Sequence, residues 1–275
     1  MKTRIISGAV GIAILAAVLW LHTTFVFPLG LFLVGFLMVY EMLGALKMKT
    51  DYVLIAAASL HVLAAAFPPR LDLLESGVLG GAALYIAAIF AYIVISQFYL
   101  LFRHKQLEIG SYYIGLAYCL LIGFCMYSIS KIEAGNGTVG VLNLILAFMG
   151  AWVADSGAYF AGTFLGKHKL CPEISPKKTV EGLIGGMAAN AVVFFVYALI
   201  AGRFFDFISP LPAALIGVIC ALLGLLGDLS ASLIKRHAGI KDYGKIMPGH
   251  GGAMDRFDSM VYIAPFMMFA FGGLA

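Results

Sequence analysis

Charged residues are scarce in this chain. Only 12% of its 275 residues are Asp, Glu, Lys or Arg, whereas 62% are hydrophobic, and the mean hydropathy is +1.00. Water-soluble domains carry about a quarter of charged residues, so this composition excludes a soluble globular domain. The sequence therefore predicts an integral membrane protein.

Paired cysteines and a nucleotide-binding P-loop are also missing. The four cysteines form no CxxC pair, and three of them fall in predicted membrane segments, which argues against a disulfide framework and a zinc site. The chain contains no GxxxxGK[ST] sequence. The net charge of +4 is not collected in an extended soluble basic region, so a nucleic acid is not an expected partner.

Long apolar runs are abundant, and only short polar breaks separate them. Because a transmembrane helix needs about 20 mainly apolar residues, the runs predict an all-α polytopic bundle of about nine transmembrane helices. The predicted crossings are 5–21, 25–44, 52–67, 78–101, 111–130, 138–160, 183–201, 211–234 and 259–275. The third and the last are short, so tilted, half-inserted and re-entrant arrangements stay open for them. The first is interpreted as a retained anchor and not as a cleaved signal.

Lys and Arg are distributed unevenly between alternate loops. With a cytoplasmic N-terminus, fifteen of the eighteen lie on the cytoplasmic side, and only Arg70, Lys131 and Arg203 lie on the other. Cytoplasmic loops carry the positive excess in membrane proteins. The distribution predicts a multi-pass protein of the cell inner (cytoplasmic) membrane. Its basic cytoplasmic face would meet anionic membrane lipids or a phosphate-bearing substrate.

The chain is predicted to be one membrane domain, 1–275, with an uneven distribution of polar residues. Residues 1–135 form a plain helical scaffold, lipid contact or subunit interface, and residues 136–275 form a catalytic half with long cytoplasmic loops at 161–182 and 235–258. Long loops between membrane helices tend to carry function. Small-residue pairs such as Gly162/Gly166 and Gly182/Gly186 permit close helix contacts, either within the fold or in a homodimer.

Two aspartates, Asp155 and Asp228, lie inside apolar segments near their cytoplasmic ends. An ionisable group there costs roughly 2.5 to 3.5 kcal/mol at mid-membrane, so such groups usually face a polar cavity. Asp228, Ser232 and Lys235 are spaced i, i+4 and i+7, which predicts that they share one helix face. A site around Asp155 and Asp228 is the favoured interpretation, although interfacial water could also hydrate both carboxylates.

The polar block 232–258 contains five of the eighteen basic and three of the fourteen acidic residues. Its acids Asp255 and Asp258 precede the last apolar segment, where capping of the helix dipole is an alternative role for Asp258. Gly251 and Gly252 permit a tight turn with exposed N–H groups. The carboxylate oxygens of Asp228 and Asp255 are hard ligands, which suit Mg²⁺. The other charged side chains of the block are Lys235, Arg236, Lys241 and Lys245, with Asp242 and His250 beside them. Basic residues at a cytoplasmic boundary often serve only as positive-inside anchors, but here they alternate with acids and glycines, which favours a site for polyphosphate and metal.

The earlier loop repeats this chemistry. Ser175 and Pro176 predict a helix start, with Ser175 as N-cap and Pro176 in the first turn. Lys177, Lys178 and Thr179 follow at once, and a helix N-terminus flanked by two lysines would bind phosphate well.

Together these motifs closely resemble the signature of the phosphatidate cytidylyltransferases, or CDP-diglyceride synthases. The resemblance is carried by S-L-I-K-R from 232, K-D at 241–242, P-G-H-G-G at 248–252 and D-R-F-D at 255–258, with D-S-G-A-Y-F-A-G at 155–162 and S-P-K-K-T-V-E-G at 175–182. Residues Met247 and Ala253 are small departures from the expected pattern. The N-terminal half resembles the family only in being a set of hydrophobic helices.

The resemblance implies Mg²⁺-dependent conversion of phosphatidic acid and CTP to CDP-diacylglycerol and pyrophosphate at the cytoplasmic face. Asp228 and Asp255 are the expected metal ligands, with Asp155 and Asp258 as additional or supporting ligands. Whether a second metal or a monovalent cation shares the site stays open. The phosphates would be held by Lys235, Arg236, Lys241 and Arg256, and by the loop that contains Ser175, Lys177, Lys178 and Thr179. Ser232, Gly251 and Gly252 are expected at the substrate, and His250 would orient a phosphate or Asp255.

Two other functions are compatible with some of these features. A CTP-dependent lipid kinase shares the substrates but transfers the γ-phosphoryl group. A secondary transporter would use Asp155 and Asp228 as coupling sites. Transporter sites are expected near the midplane at the interface of repeats, whereas these acids are predicted near one face and the sequence shows no inverted repeat.

Overall fold

A computed structural model describes residues 2–67, 80–135, 137–246 and 251–271. Its helices are α1 (Lys2–Trp20), α2 (Val26–Ala45), α3 (Tyr52–Ala66), α4 (Gly81–Arg103), α5 (Ile109–Ala134), α6 (Thr138–Phe164), α7 (Val180–Ala201), α8 (Pro210–His237), α9 (Met254–Phe257) and α10 (Met260–Ala270). Two short strands, β1 (Lys169–Cys171) and β2 (Ser175–Thr179), lie between α6 and α7.

The helices follow the predicted apolar segments, and the protein is a multi-pass membrane protein. In the described ranges, six helices are long and apolar enough to span a membrane, namely α2 and α4 to α8. The two segments predicted to be short correspond to α3, with 15 residues, and α10, with 11. The number of nine crossings and the cytoplasmic N-terminus stay predictions.

The predicted helix start at Ser175 and Pro176 is wrong. Residues Ser175–Thr179 form β2, which pairs antiparallel with β1 and contains an irregular register. Proline can occupy such a short strand because a hairpin of only two strands leaves edge positions where no N–H is required. The N-cap of helix α7 is Thr179, four residues after the predicted N-cap Ser175. The Thr179 Oγ1 accepts a hydrogen bond from Gly182 N at 3.1 Å. Apart from this hairpin, the regular structure of the described residues is thus all-α.

The chain divides into two compact units, of which the first contains Met1–Lys131 and Ala238–Phe257. In it α2 packs against α1, α3 and α9, and α3 packs against α4. Buried methionines and valines such as Met38, Met42 and Val62 fill its core. A Cβ on Gly35 would overlap Val62, so glycine permits the close approach of α2 and α3. The segment 238–257, which the sequence assigns to the catalytic half, therefore packs with N-terminal helices.

The second unit contains Ile132–His237 and Asp258–Ala275. Its helices α6, α7 and α8 pack against one another, and α10 packs against α6 and α8. The side chain of Asn190 on α7 is fully buried and donates to Gly150 O on α6 at 2.9 Å and to Gly217 O on α8 at 3.1 Å. One amide thus links three helices, where hydrogen bonds in apolar surroundings stabilise association.

Helices α6 and α7 approach closely along a stripe of small residues. A Cβ on Gly157 would lie against Ala189, one on Gly185 against Ala161, and one on Gly182 or Gly186 against a backbone carbonyl oxygen of α6. The small-residue pairs predicted to mediate close contacts are used within the fold. A homodimer stays a prediction.

Candidate functional site

A cavity of about 320 Å³ in the second unit lies among α6, the hairpin, α7 and α8. Its polar lining is Asp155, Tyr159, Ser175, Lys177, Lys178, Thr179 and Asp228, and its other lining residues are Ala154, Ala158, Leu170, Gly182, Leu183, Gly186, Ala221 and Leu225. Except for Tyr159, every residue of the polar group is a site residue predicted from the sequence. The cavity thus combines a cationic and carboxylate end with an apolar wall.

Asp228 on α8 connects two of the predicted groups. One carboxylate oxygen, Oδ2, forms an ion pair with the Lys178 ammonium on β2. The other, Oδ1, accepts a hydrogen bond from Ser232 Oγ at 3.2 Å, as the predicted i, i+4 spacing requires. Both charged side chains are partly accessible, at 22% for Lys178 and 30% for Asp228. An incoming anion and a cation can therefore compete for these two partners.

Asp258 lies in the turn before α10 and faces like charges. Burial is the main cause that raises its pKa to about 7, and the negative charges of Asp228 and Asp155 add to the effect. The N–H of Ser259, which donates to Asp258 Oδ1 at 2.8 Å, and the charge of Lys235 act in the opposite direction. The negative charges of Asp228 and Asp155 thus act on Asp258, and a bound cation would offset this repulsion.

The hairpin that contributes Lys177 and Lys178 is fixed to the start of α7. Glu181 in the first turn accepts hydrogen bonds from Lys167 N at 3.0 Å and from His168 N at 3.2 Å. The His168 ring Nδ1 lies 2.6 Å from Glu181 Oε1. The Thr179 cap and the Glu181 contacts hold both ends of the hairpin, so Lys177 and Lys178 line the cavity from a defined backbone.

Several predicted phosphate-binding groups are exposed. The guanidinium of Arg236 is exposed and donates from Nε to Ile174 O at 3.3 Å, in the turn of the hairpin. The side chains of Lys241, Asp242 and Arg256 are exposed. His250 lies outside the described residues.

Asp255 belongs to the first unit, in contrast to Asp155, Asp228 and Asp258. Its Oδ2 accepts hydrogen bonds from Tyr243 N at 2.9 Å and from Gly252 N at 3.0 Å. Gly251 has φ +87°, a backbone conformation that glycine adopts without strain. The predicted turn of exposed N–H groups is therefore organised around the Asp255 carboxylate, with the Gly252 N–H pointing at it. A metal shared by Asp228 and Asp255 stays a prediction.

Glu41 on α2 is a buried carboxylate beside the polar block that the sequence analysis did not single out. It is only 5% exposed, and its Oε2 accepts a hydrogen bond from Met254 N at 2.9 Å. The available signal was the one that drew attention to Asp155 and Asp228, an ionisable residue inside an apolar helix. It was overlooked because residues 1–135 were interpreted as scaffold.

The acidic residues are of the chemical type that the expected Mg²⁺ ion requires. In the ranges that the structure describes, no group of three or more His, Cys, Asp and Glu side chains forms a metal cage. Mg²⁺ commonly takes one or two carboxylates and completes its shell with water and phosphate oxygens. The hard oxygen donors Asp228, Asp155 and Asp258 are of the type that such a shell uses. Burial raises the pKa of Asp258, and the charges of Asp228 and Asp155 add to the rise.

Comparison with known proteins gives the family. The model of the cytidylyltransferase family matches residues 2–272. The chain belongs to the cytidylyltransferase family. Among this family, the phosphatidate cytidylyltransferase of Bacillus subtilis (strain 168) is 34% identical, over 98% of this chain and 97% of its own.

Other cytidylyltransferases match a shorter part. The phosphatidate cytidylyltransferase of Staphylococcus saprophyticus is 42% identical over 151 residues, which are 52% of this chain and 56% of its own. That of Staphylococcus aureus (strain COL) is 41% identical over the same shares. The match to the family model and to the Bacillus protein extends beyond the C-terminal motifs into the N-terminal helices.

Proposed function

We propose that this protein is a phosphatidate cytidylyltransferase, which converts phosphatidic acid and CTP to CDP-diacylglycerol and pyrophosphate. The observation that carries the proposal is the similarity to a phosphatidate cytidylyltransferase over 98% of the chain. The cavity supports it, because its lysines suit phosphate groups and its leucines and alanines suit the apolar part of a lipid. The membrane helices suit an enzyme whose substrate is itself a membrane lipid.

In the reaction a phosphate oxygen of phosphatidic acid attacks the α-phosphorus of CTP, and the bond to the β-phosphate oxygen breaks. Pyrophosphate leaves with the electron pair of that bond. The nucleophile is already an ionised oxygen, so no side chain has to act as a nucleophile or remove a proton. The protein must bring two anions together and stabilise the charge of the leaving group.

The described residues supply these functions by position and charge. Lys177 and Lys178 hold phosphate oxygens at the cavity, and Lys178 exchanges its partner Asp228 for substrate phosphate. Ser232 keeps the released Asp228 carboxylate oriented. Lys235 and Arg236 lie at the end of the same helix and add positive charge there, where they also complement the helix dipole.

Mg²⁺ is the proposed cofactor, held by Asp228 with Asp155 and Asp258, and by Asp255 as the resemblance implies. When bound, it would neutralise phosphate charge and stabilise the leaving pyrophosphate. The proposed location is the cell inner membrane with the site on the cytoplasmic side, because fifteen of the eighteen basic residues fall on that side in the predicted topology.

The test is incubation of purified protein with phosphatidic acid, Mg²⁺ and CTP labelled at the α- or the γ-phosphate. We expect the α-label in the lipid product and the γ-label in pyrophosphate. The γ-label in the lipid would identify a CTP-dependent lipid kinase instead. No labelled lipid from either labelled form of CTP would refute the proposal. Substrate flux into proteoliposomes without nucleotide would indicate a transporter.

A further inference from the structure

Glu41 contacts the polar block from a helix that is distant in sequence. Its hydrogen bond to Met254 N joins residues 213 positions apart and is buried. Because α2 and the segment 238–257 belong to the same compact unit, this contact is internal to one packed body. A carboxylate in such surroundings loses its hydration, so it must be compensated by protein donors.

Two glycines of the block fit around this carboxylate. A Cβ on Gly244 or on Gly252 would overlap the carboxylate oxygens of Glu41. Neither residue has a positive φ, so backbone conformation does not demand glycine there. The absence of side chains at these two positions is instead explained by the space that the Glu41 carboxylate occupies.

The same backbone holds Asp255 on its other side. Tyr243 N and Gly252 N both donate to Asp255 Oδ2, at 2.9 and 3.0 Å. Residues 243–244 and 252–254 therefore lie between two carboxylates, Asp255 and Glu41. If Glu41 moved, the N–H groups that orient Asp255 would lose their support.

We propose that Glu41 is a positioning residue for the transferase reaction, whose carboxylate fixes the backbone at 243–244 and 252–254 and thereby orients Asp255. The inference rests on the proposed function, because Asp255 is an expected metal ligand of that reaction. Glu41 acts through Asp255 and the backbone and does not touch substrate. Through Glu41, the N-terminal half would take part in positioning the residues of the reaction.

The first experiment compares Glu41→Ala, Glu41→Gln and the control Asp51→Asn. Asp51 is equally buried in the same unit, and its side-chain partners among the described residues are Tyr99 OH at 2.6 Å and Arg103 Nη2 at 3.7 Å. Loss of a residue that orients a metal ligand typically costs about 10- to 100-fold in activity or metal affinity. We expect that loss for Glu41→Ala, seen in kcat and in the Mg²⁺ concentration for half-maximal rate, with little change in the KM for phosphatidic acid.

The conservative variant separates positioning from charge. Glutamine keeps an oxygen that can accept from Met254 N, so Glu41→Gln should retain activity to within about fivefold, given the modest net value of one hydrogen bond. Asp51→Asn should match wild type in kcat and in Mg²⁺ dependence. A Glu41→Ala enzyme with wild-type kcat and Mg²⁺ dependence would overturn the proposal.

Hydrogen exchange gives a readout that does not depend on turnover. In Glu41→Ala, peptides covering 251–257 should exchange faster by about tenfold or more, while α4 and α5 keep their protection. Asp51→Asn should leave 251–257 unchanged. Equal acceleration throughout the unit would show that Glu41 serves only general stability, and would refute the positioning role.

A double-mutant cycle with Gly244→Ala tests the contact itself. The new Cβ should displace the Glu41 carboxylate and lower kcat, but it should add little to the defect of Glu41→Ala, since both changes remove the same contact. Fully additive losses would contradict the proposal. If wild-type protein forms no CDP-lipid at all, the proposed function fails, and the hydrogen-exchange comparison still decides whether Glu41 positions the segment.

Discussion

Lys178 of the hairpin forms an ion pair with Asp228 of α8. Its ammonium pairs with Asp228 in the cavity wall, whereas Lys169 on the other strand is exposed and does not line the cavity. Surface ion pairs are worth little for stability, and the role proposed for Lys178 is that of a cation at the phosphate site. The two lysines provide a matched comparison within one hairpin.

We expect Lys178→Gln to lower kcat/KM by about 100-fold, because a preorganised cation that faces developing phosphate charge contributes on this scale. Lys169→Gln should stay within about twofold of wild type, since an exposed lysine outside the cavity has no such role. Initial rates of CDP-lipid formation over a range of CTP concentrations measure both. Equal rates for Lys178→Gln and Lys169→Gln would remove Lys178 from the phosphate site.

The raised pKa of Asp258 predicts how the stability of the protein depends on pH. Its pKa is raised from 3.8 to about 7 in the folded protein, first by burial and then by Asp228 and Asp155. The folded state therefore binds a proton more tightly than the unfolded state, and the resulting stabilisation is complete below about pH 4 and is lost as the pH rises through about 7. Without divalent ions, the melting temperature of wild type should fall relative to that of Asp258→Asn between about pH 5 and pH 8.

Mg²⁺ should reverse this trend if it binds near Asp258. A cation stabilises the ionised carboxylate, so the Mg²⁺-induced rise in melting temperature should be larger at about pH 8 than at about pH 6 in wild type. The rise should depend less on pH in Asp258→Asn. Parallel pH curves for the two proteins in chelator would contradict the assigned pKa shift.

At the level of elements, the hairpin shows where sequence patterns are ambiguous. Ser175 and Pro176 make a good helix-start pattern, but Thr179 with Glu181 two residues later makes another, and only packing selects between them. The structure uses Thr179, because α7 must begin where its glycines meet α6. The local signals were present in the sequence, and their ranking depended on tertiary contacts.

The packing of α6 on α7 can be tested at Gly185. A Cβ there would overlap Ala161 Cβ, whereas a Cβ on Gly44 in α2 would have no neighbour within 4 Å. Overpacking a tight interface costs about 1–3 kcal/mol. Gly185→Ala should therefore lower the melting temperature in detergent, while Gly44→Ala should not, because alanine is the better helix former. An unchanged melting temperature for Gly185→Ala would show that the two helices can separate without cost.

For the whole molecule, composition and apolar periodicity were sufficient to predict a helical membrane protein and the approximate helix positions. They were also sufficient for the local part of the site, since Asp228 and Ser232 are one helical turn apart. Long-range contacts were not accessible in this way. Glu41 and Met254 are 213 residues apart, and nothing in a single sequence indicates that a carboxylate in the second helix meets a backbone N–H in the last polar block.

The membrane topology is the remaining prediction at this scale, and α7 offers a direct test. Glu173 in the hairpin and Arg203 after α7 are both exposed, and α7 between them is long and apolar enough to span a membrane. The predicted orientation puts Glu173 on the cytoplasmic side and Arg203 on the opposite side. Single cysteines at these positions, in a background that lacks Cys171, should react with an impermeant maleimide from opposite faces. Arg203→Cys should label in right-side-out vesicles and Glu173→Cys in inside-out vesicles. Labelling of both from one face would show that α7 does not cross, and the reverse pattern would put the hairpin lysines on the outer side, where CTP is not available from the cytoplasm.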